Sequence, residues 1–189
     1  MEYVYLETQR ILKLYGTRNP YELLDAIGAV TVFSDNYELN GLKGFCTIQN
    51  RTMYAVINTK LPENDMRIVA GHEAGHLILH KKEILTSPAR SMKDFNFFDN
   101  SGKYEREANS FLADFLVPDE KVLDVVIDRE GDYFSAAQEL NIPPPLFAFK
   151  LYSMMQRGYN VRSPVDLDSG FLGNSAIHCQ SDMQSPAGL

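Results

Sequence analysis

The sequence predicts an α+β fold, a small antiparallel β-sheet attached to a mostly helical body. Three observations predict it. Two helix-like stretches open the chain, and three short strand-like runs follow between residues 29 and 58. From Pro62 almost to Gly158, apolar residues then recur at helical spacing. A length of 189 residues, 44% of them hydrophobic, is enough to enclose a core.

Each element has its own justification. Residues 2–15 carry Val4, Leu6, Ile11, Leu12 and Leu14 in an amphipathic pattern closed by Gly16. Asn19-Pro20 reads as an N-cap with proline in the first helical position, opening a helix through Ile27 that Gly28 stops. Residues 29–33, 43–48 and 52–58 are rich in β-branched and aromatic side chains and separated by Asn- and Gly-containing turns, which predicts an antiparallel sheet or meander. The run 64–80, with Ile68, Val69, Ala70, Leu77, Ile78 and Leu79, is apolar enough for a buried central helix. Residues 84–101 mix Ser, Pro, Asp, Asn and Gly with Phe95, Phe97 and Phe98, a long loop with the aromatics to be ordered and the length to act as a lid. Helices over 103–117 and from Pro118 to Asp128 follow, then two more over 132–157 joined at Asn141-Ile142-Pro143-Pro144-Pro145. The composition shifts to Ser, Asp, Asn, Gly and Pro after Gly158. Residues 1–159 therefore read as one domain and 160–189 as a C-terminal tail.

Bulk chemistry narrows the function. A net charge of −7 and a pI near 5.1 argue against broad attachment to nucleic acid. The two cysteines, Cys46 and Cys179, make neither a disulfide framework nor a thiolate metal site, which fits a reducing cytoplasm. The N-terminus lacks the basic-then-apolar order of a secretory signal. No apolar stretch reaches the roughly 20 residues that span a bilayer. A cytoplasmic protein without a membrane partner is expected.

The chemistry concentrates in His72-Glu73-Ala74-Gly75-His76. Four residues apart on a helix, the two imidazoles project from one face and can share a Zn²⁺ ion. Glu73 flanks the same opening and can take a proton from an attacking water. With four His and twelve Glu in the chain, an H-E-x-x-H match arises by chance in roughly one such sequence in two hundred. Here it falls inside a periodic apolar helix, where an unneeded His-Glu-His would be costly. His80 extends the i, i+4 series, but eight residues carry it about 80° round and about 12 Å along the helix from His72. One ion is not easily reached by all three, and a helix-terminal histidine facing the dipole is the expectation. His178 stands alone in the tail.

A catalytic zinc needs a third protein ligand. In Glu105-Arg106-Glu107-Ala108-Asn109, the buried stripe is set by Ala108, Phe111, Leu112 and Phe115. Glu105 lies about 60° from its centre and Glu107 about 100° the other way. Glu105 is the favoured ligand, with Glu107 the alternative. Asn109 is placed to support a ligand.

The strand 52–58, the H-E-x-x-H helix ending in Leu77-Ile78-Leu79-His80, the segment Glu105-Arg106-Glu107-Ala108-Asn109-Ser110-Phe111-Leu112-Ala113 and Leu116-Val117-Pro118 together resemble the ImmA/IrrE family of metallopeptidases. The resemblance covers about residues 1–157, departing at Leu112, where the family more often has alanine. It implies a gluzincin-like fold with two histidines and a glutamate on zinc. It also implies a bacterial or mobile-element setting and cleavage of a helix-turn-helix repressor. The alternative is a zinc-stabilised regulatory or interaction module without constitutive turnover. Tyr104 is one of ten tyrosines that could steady an oxyanion, and strand 52–58 could offer an edge to an extended substrate. The helix pair 132–157 has a helix-turn-helix outline. Its second helix is apolar, however, with Lys150 and Arg157 as its only cations, so no direct nucleic-acid contact is expected.

Overall fold

The computed structural model describes residues 2–35, 41–94, 102–128 and 132–163. Phe95, Phe97 and Phe98 of the expected lid, His178, Cys179 and the tail from residue 164 lie outside them. Helix α1 (Glu2–Tyr15) buries Val4, Thr8 and Ile11 and ends at Gly16, whose positive φ of 67° suits a helix-terminating glycine. Helix α2 (Pro20–Ala26) is capped by Asn19, whose side chain accepts from the Tyr21 N–H. The chain then enters strand β1 (Ala29–Ser34).

Strands β2 (Gly44–Gln49) and β3 (Thr52–Asn58) form a hairpin in which Gln49 faces Thr52. Its two linking residues, Asn50 and Arg51, both have positive φ, at 49° and 66°. That backbone twist matches the strands it joins. Strand β4 (Ser91–Asp94) pairs antiparallel to β2, and the sheet order is β1-β3-β2-β4. The sheet is small, as expected, but not wholly antiparallel. β1 runs parallel to β3, in register from Ala29 opposite Met53 to Ser34 opposite Asn58. The reason is connection length. β1 ends at Ser34 and β2 begins only at Gly44, and the stretch between β1 and β3, which includes β2, is long enough for the chain to return parallel. β3 is therefore a central strand and cannot offer the substrate edge considered for it.

Helix α3 (Glu63–Leu79) lies across the sheet and is followed by α4 (Lys81–Thr86). The end of α4 and all of β4 fall where a loop was expected, over 84–101. Ser91-Met92-Lys93-Asp94 has no β-branched residue to announce a strand, and it is drawn into the sheet by the edge of β2. Helices α5 (Lys103–Leu116), α6 (Asp119–Asp128), α7 (Tyr133–Glu139) and α8 (Pro144–Gln156) complete the helical body. No helix among the described residues is long and apolar enough to cross a membrane.

Helices α3 and α5 belong to two apolar cores at once. Val69, Ala70, Phe111 and Phe115 pack with α1, α2 and the sheet. Ile68, Leu112 and Ala113 pack with Leu146, Phe147 and Phe149 of α8. Helix α8 is thus a core helix, with Lys150 only 1% exposed, and cannot lie in a DNA groove as a recognition helix does.

Candidate metal centre

Helix α3 is buried over ten consecutive residues, Ile68 to Leu77. Polar side chains in that stretch have no bulk water to solvate them and must be satisfied from within. His72, Glu73 and His76 are all in it, each at most 1% exposed. Their helical spacing brings the two imidazole centroids to 4.6 Å.

Two glycines bring the neighbouring helix close. A Cβ at Gly71 would sit 2.4 Å from Leu112 Cδ1, and one at Gly75 would sit 3.4 Å from the Ala108 Cα. Without side chains there, α3 and α5 approach closely enough for the first turn of α5 to reach the histidines. Glu105 turns both oxygens towards them, Oε2 at 3.2 Å from His72 Nε2 and Oε1 at 3.4 Å from His76 Nε2. The two Nε2 atoms are 2.9 Å apart. One ligand atom from each of His72, His76 and Glu105 lies within 4.8 Å of the others.

Hydrogen bonds behind the rings decide what these atoms present. His72 Nδ1–H donates to Asn109 Oδ1 at 3.0 Å, leaving a lone pair on its Nε2. His76 Nδ1 lies 3.0 Å from His80 Nδ1, and His80 Nε2–H donates to Glu107 Oε2 at 2.9 Å. His80 Nδ1 is then the acceptor, so His76 carries its proton on Nδ1 and a lone pair on Nε2. Two nitrogen lone pairs and a carboxylate converge. One proton cannot satisfy three acceptors together, whereas one metal ion can. An ion with tetrahedral donors at 2.0–2.1 Å spaces its ligand atoms by about 3.3 Å. The Nε2–Nε2 separation of 2.9 Å, and those of 3.2 and 3.4 Å from the two nitrogens to one Glu105 oxygen each, lie near that spacing.

The electrostatics agree. Burial pushes His76 down to about 4, so its imidazole is a neutral donor at neutral pH. Burial by itself would raise Glu105, but the two histidines facing it outweigh burial and hold the carboxyl below the usual range. Glu107, also inside the fold, is held low against its burial by Tyr3 and His80. Glu105 therefore sits with the two histidines, and Glu107 faces His80 instead. Tyr104 packs its ring against His80, with centroids 4.9 Å apart.

Glu73 leaves the same helix towards β2. A Cβ on Gly44 would come within 3.2 Å of its Oε1, and the negative carboxylate acts on the Cys46 thiol of the same strand. Burial, reinforced by that carboxylate, pushes the Cys46 thiol well up. Neither Gly44 nor Cys46 stood out in the sequence, because each supports Glu73 from another element. His80 caps the C-terminal end of α3, the helix-terminal place expected of it, and is buried there, at 2% exposed.

The family model described as the IrrE N-terminal-like domain, Peptidase_M78, matches residues 28–152. The chain belongs to this family. The stretch matched by the IrrE-type model contains the sheet, α3 and α5, and with them His72, Glu73, His76 and Glu105. A relative described as uncharacterized immunity region protein 2, from Bacillus phage phi105, is 37% identical over 111 residues. That alignment covers 59% of this chain and 66% of the phage protein, just under two thirds of its length. No solved structure matches the chain at a significant level.

Proposed function

We propose that this IrrE-type chain is a zinc-dependent endopeptidase that cuts a peptide bond in a specific cytoplasmic protein, a helix-turn-helix transcriptional repressor. The observation that carries the reading is the convergence of two buried imidazole acceptors, His72 Nε2 and His76 Nε2, with the half-buried Glu105 carboxylate, beside the helix turn that also carries Glu73. Zinc suits this set of two imidazoles and one carboxylate, which leaves a fourth position open. When bound there, it supplies Lewis-acid polarisation of a carbonyl and lowers the pKa of water.

The rest is the work of the chain's own groups. His72, locked by Asn109, and His76, locked by His80, present nitrogens already turned inward, so little ordering accompanies loading. Glu73, seated against Gly44 and Cys46, removes the proton of the attacking water and passes it to the leaving amine. Strand β4 pairs on one side with β2, the strand that seats Glu73. An extended substrate segment adding along β4 would join the same sheet that seats Glu73. The repressor as substrate rests on the family and on the phage immunity-region relative.

The test is metal analysis together with cleavage of helix-turn-helix repressors encoded beside the gene. The unaltered chain should carry one zinc and cut one of them. Glu73→Gln should keep the zinc and lose at least about 100-fold in cleavage rate. Cleavage retained in Glu73→Gln would overturn the role given to Glu73. Zinc bound with every repressor left intact would favour a regulatory module over a peptidase.

A further inference from the structure

Hydrolysis as described uses His72, Glu73, His76 and Glu105, yet a buried polar chain continues outward from His76. Its Nδ1 meets His80 Nδ1 at 3.0 Å, and His80 Nε2 meets Glu107 Oε2 at 2.9 Å. Beyond it Tyr3, together with His80, holds the Glu107 carboxyl low against its burial. His80 is 2% exposed and Glu107 6%. The exposed Lys103 pairs with Glu107 at the other oxygen, 3.8 Å from Oε1, which leaves Oε2 to His80.

We propose that His80 and Glu107 are positioning residues for the metal centre, a relay that holds His76 in the tautomer that binds metal and strengthens it as a donor. The inference rests on the metal site proposed above. Its direction follows from what each atom can do. A carboxylate accepts, so His80 must donate from Nε2, which leaves Nδ1 of a neutral ring as an acceptor. His76 can then only donate from Nδ1, and its Nε2 is free of a proton. The offset that keeps His80 off the shared ion is what places it here: about 40° round the helix and one turn beyond His76, it stands behind that ring. His72 is braced by the neutral amide of Asn109, while His76 is braced through an imidazole by a charge. The negative charge of Glu107 raises the electron density that His76 offers to a cation, as carboxylates behind metal-bound histidines do elsewhere.

The test uses the full chain and reads metal binding directly. Zinc affinity is measured by competition with a chromophoric chelator, and the visible absorption of the cobalt-loaded protein reports on the ligand field. Unfolding of the metal-free forms is followed alongside. His80→Ala and Glu107→Ala should each weaken zinc about 10- to 100-fold and shift the cobalt bands. His80→Gln should recover most of the affinity, because its amide can accept from His76 and donate to Glu107. Should an alanine variant lose its cooperative unfolding transition, Glu107→Gln decides, since it keeps an acceptor but removes the charge. It should bind zinc several-fold more weakly.

Zinc affinity within twofold of the unaltered chain in His80→Ala and Glu107→Ala, or in Glu107→Gln where it decides, with unchanged cobalt bands, would overturn the relay and leave the metal centre standing. Loss of zinc in Glu107→Ala with retention in Glu105→Ala would overturn it by making Glu107 a ligand. An unaltered chain that takes up no zinc would remove the metal centre itself, and the relay with it.

Discussion

Helix α5 carries a polar cluster towards each end, half-buried Glu105 with buried His72 and His76 near its start and buried Asp114 with Lys150 near its finish. Their charges are arranged in opposite ways. At the second cluster Lys150 Nζ is 2.8 Å from Asp114 Oδ1 and 2.6 Å from Asp119 Oδ1. Ser153 Oγ–H donates to Asp114 at 2.6 Å, and Arg157 clamps Asp119 with two N–H groups while its guanidinium lies 3.8 Å over the Tyr5 ring. Two carboxylates meet two cations, and the cluster is complete as folded. At the first cluster two imidazole lone pairs and a carboxylate point at one another. Burial of polar groups is therefore a poor marker of a functional site in this molecule. The balance of donors and acceptors is the better one, since acceptors gathered without a cation are costly to bury.

The comparison breaks most visibly under paired alanine substitutions at the two ends of α5. Glu105→Ala should weaken zinc by more than about 100-fold, because a ligand contributes at least as much as the groups that orient it. It should leave the metal-free fold as stable as before, or slightly more so. Asp114→Ala should do the reverse. Lys150 loses its innermost partner and Ser153 its acceptor, at a cost of about 3–5 kcal/mol of stability. Zinc affinity should stay within a few-fold. Chelator competition and denaturant unfolding on the same two preparations check both arms. A loss of zinc in Asp114→Ala as large as in Glu105→Ala would show the clusters to be one system.

Much of this contrast was legible in the sequence, and the illegible part has a physical cause. The i, i+4 histidines and the helix that carries them are local features, and local periodicity places them. The phase of Glu105 relative to Ala108, Phe111, Leu112 and Phe115 likewise pointed it towards the helix it meets. What stayed hidden depends on distant partners. His80 has its acceptor on another helix, 27 positions away, so spacing along α3 could not reveal it. Lys150 looked like one of two cations on an apolar helix until Asp114, 36 positions earlier, was brought beside it. The parallel pairing of β1 with β3 and the recruitment of Ser91–Asp94 into the sheet are settled by which edges meet, which strand propensity does not encode.

A smaller effect sharpens the metal end. Asn109→Ala removes the acceptor that holds the His72 proton on Nδ1. Zinc should weaken about 10-fold, less than for Glu105→Ala, because the ligand itself remains. Equal affinity for zinc in the variant and the unaltered chain would show that packing alone orients His72.

The smallest expected effect belongs to the balanced end and appears in acid. Asp119 is pulled down to about 2 against the opposing push of burial, by its hydrogen bonds with Arg157 and Lys150. In the unfolded chain its carboxyl returns to about 3.8. Between those values the unfolded state binds more protons than the folded one, so stability falls as pH falls. The contribution is fully present above about pH 4 and is lost as pH drops towards 2. Solvent reaches part of this cluster, which reduces the effect to roughly 1 kcal/mol. Other carboxylates titrate in the same window, so the informative quantity is the difference between the unaltered chain and Asp119→Asn, both stripped of metal. That difference in unfolding free energy should shrink steadily from pH 5 to pH 2. A constant difference would mean that Asp119 acts through packing rather than charge, and the cluster would no longer count as an ionic balance.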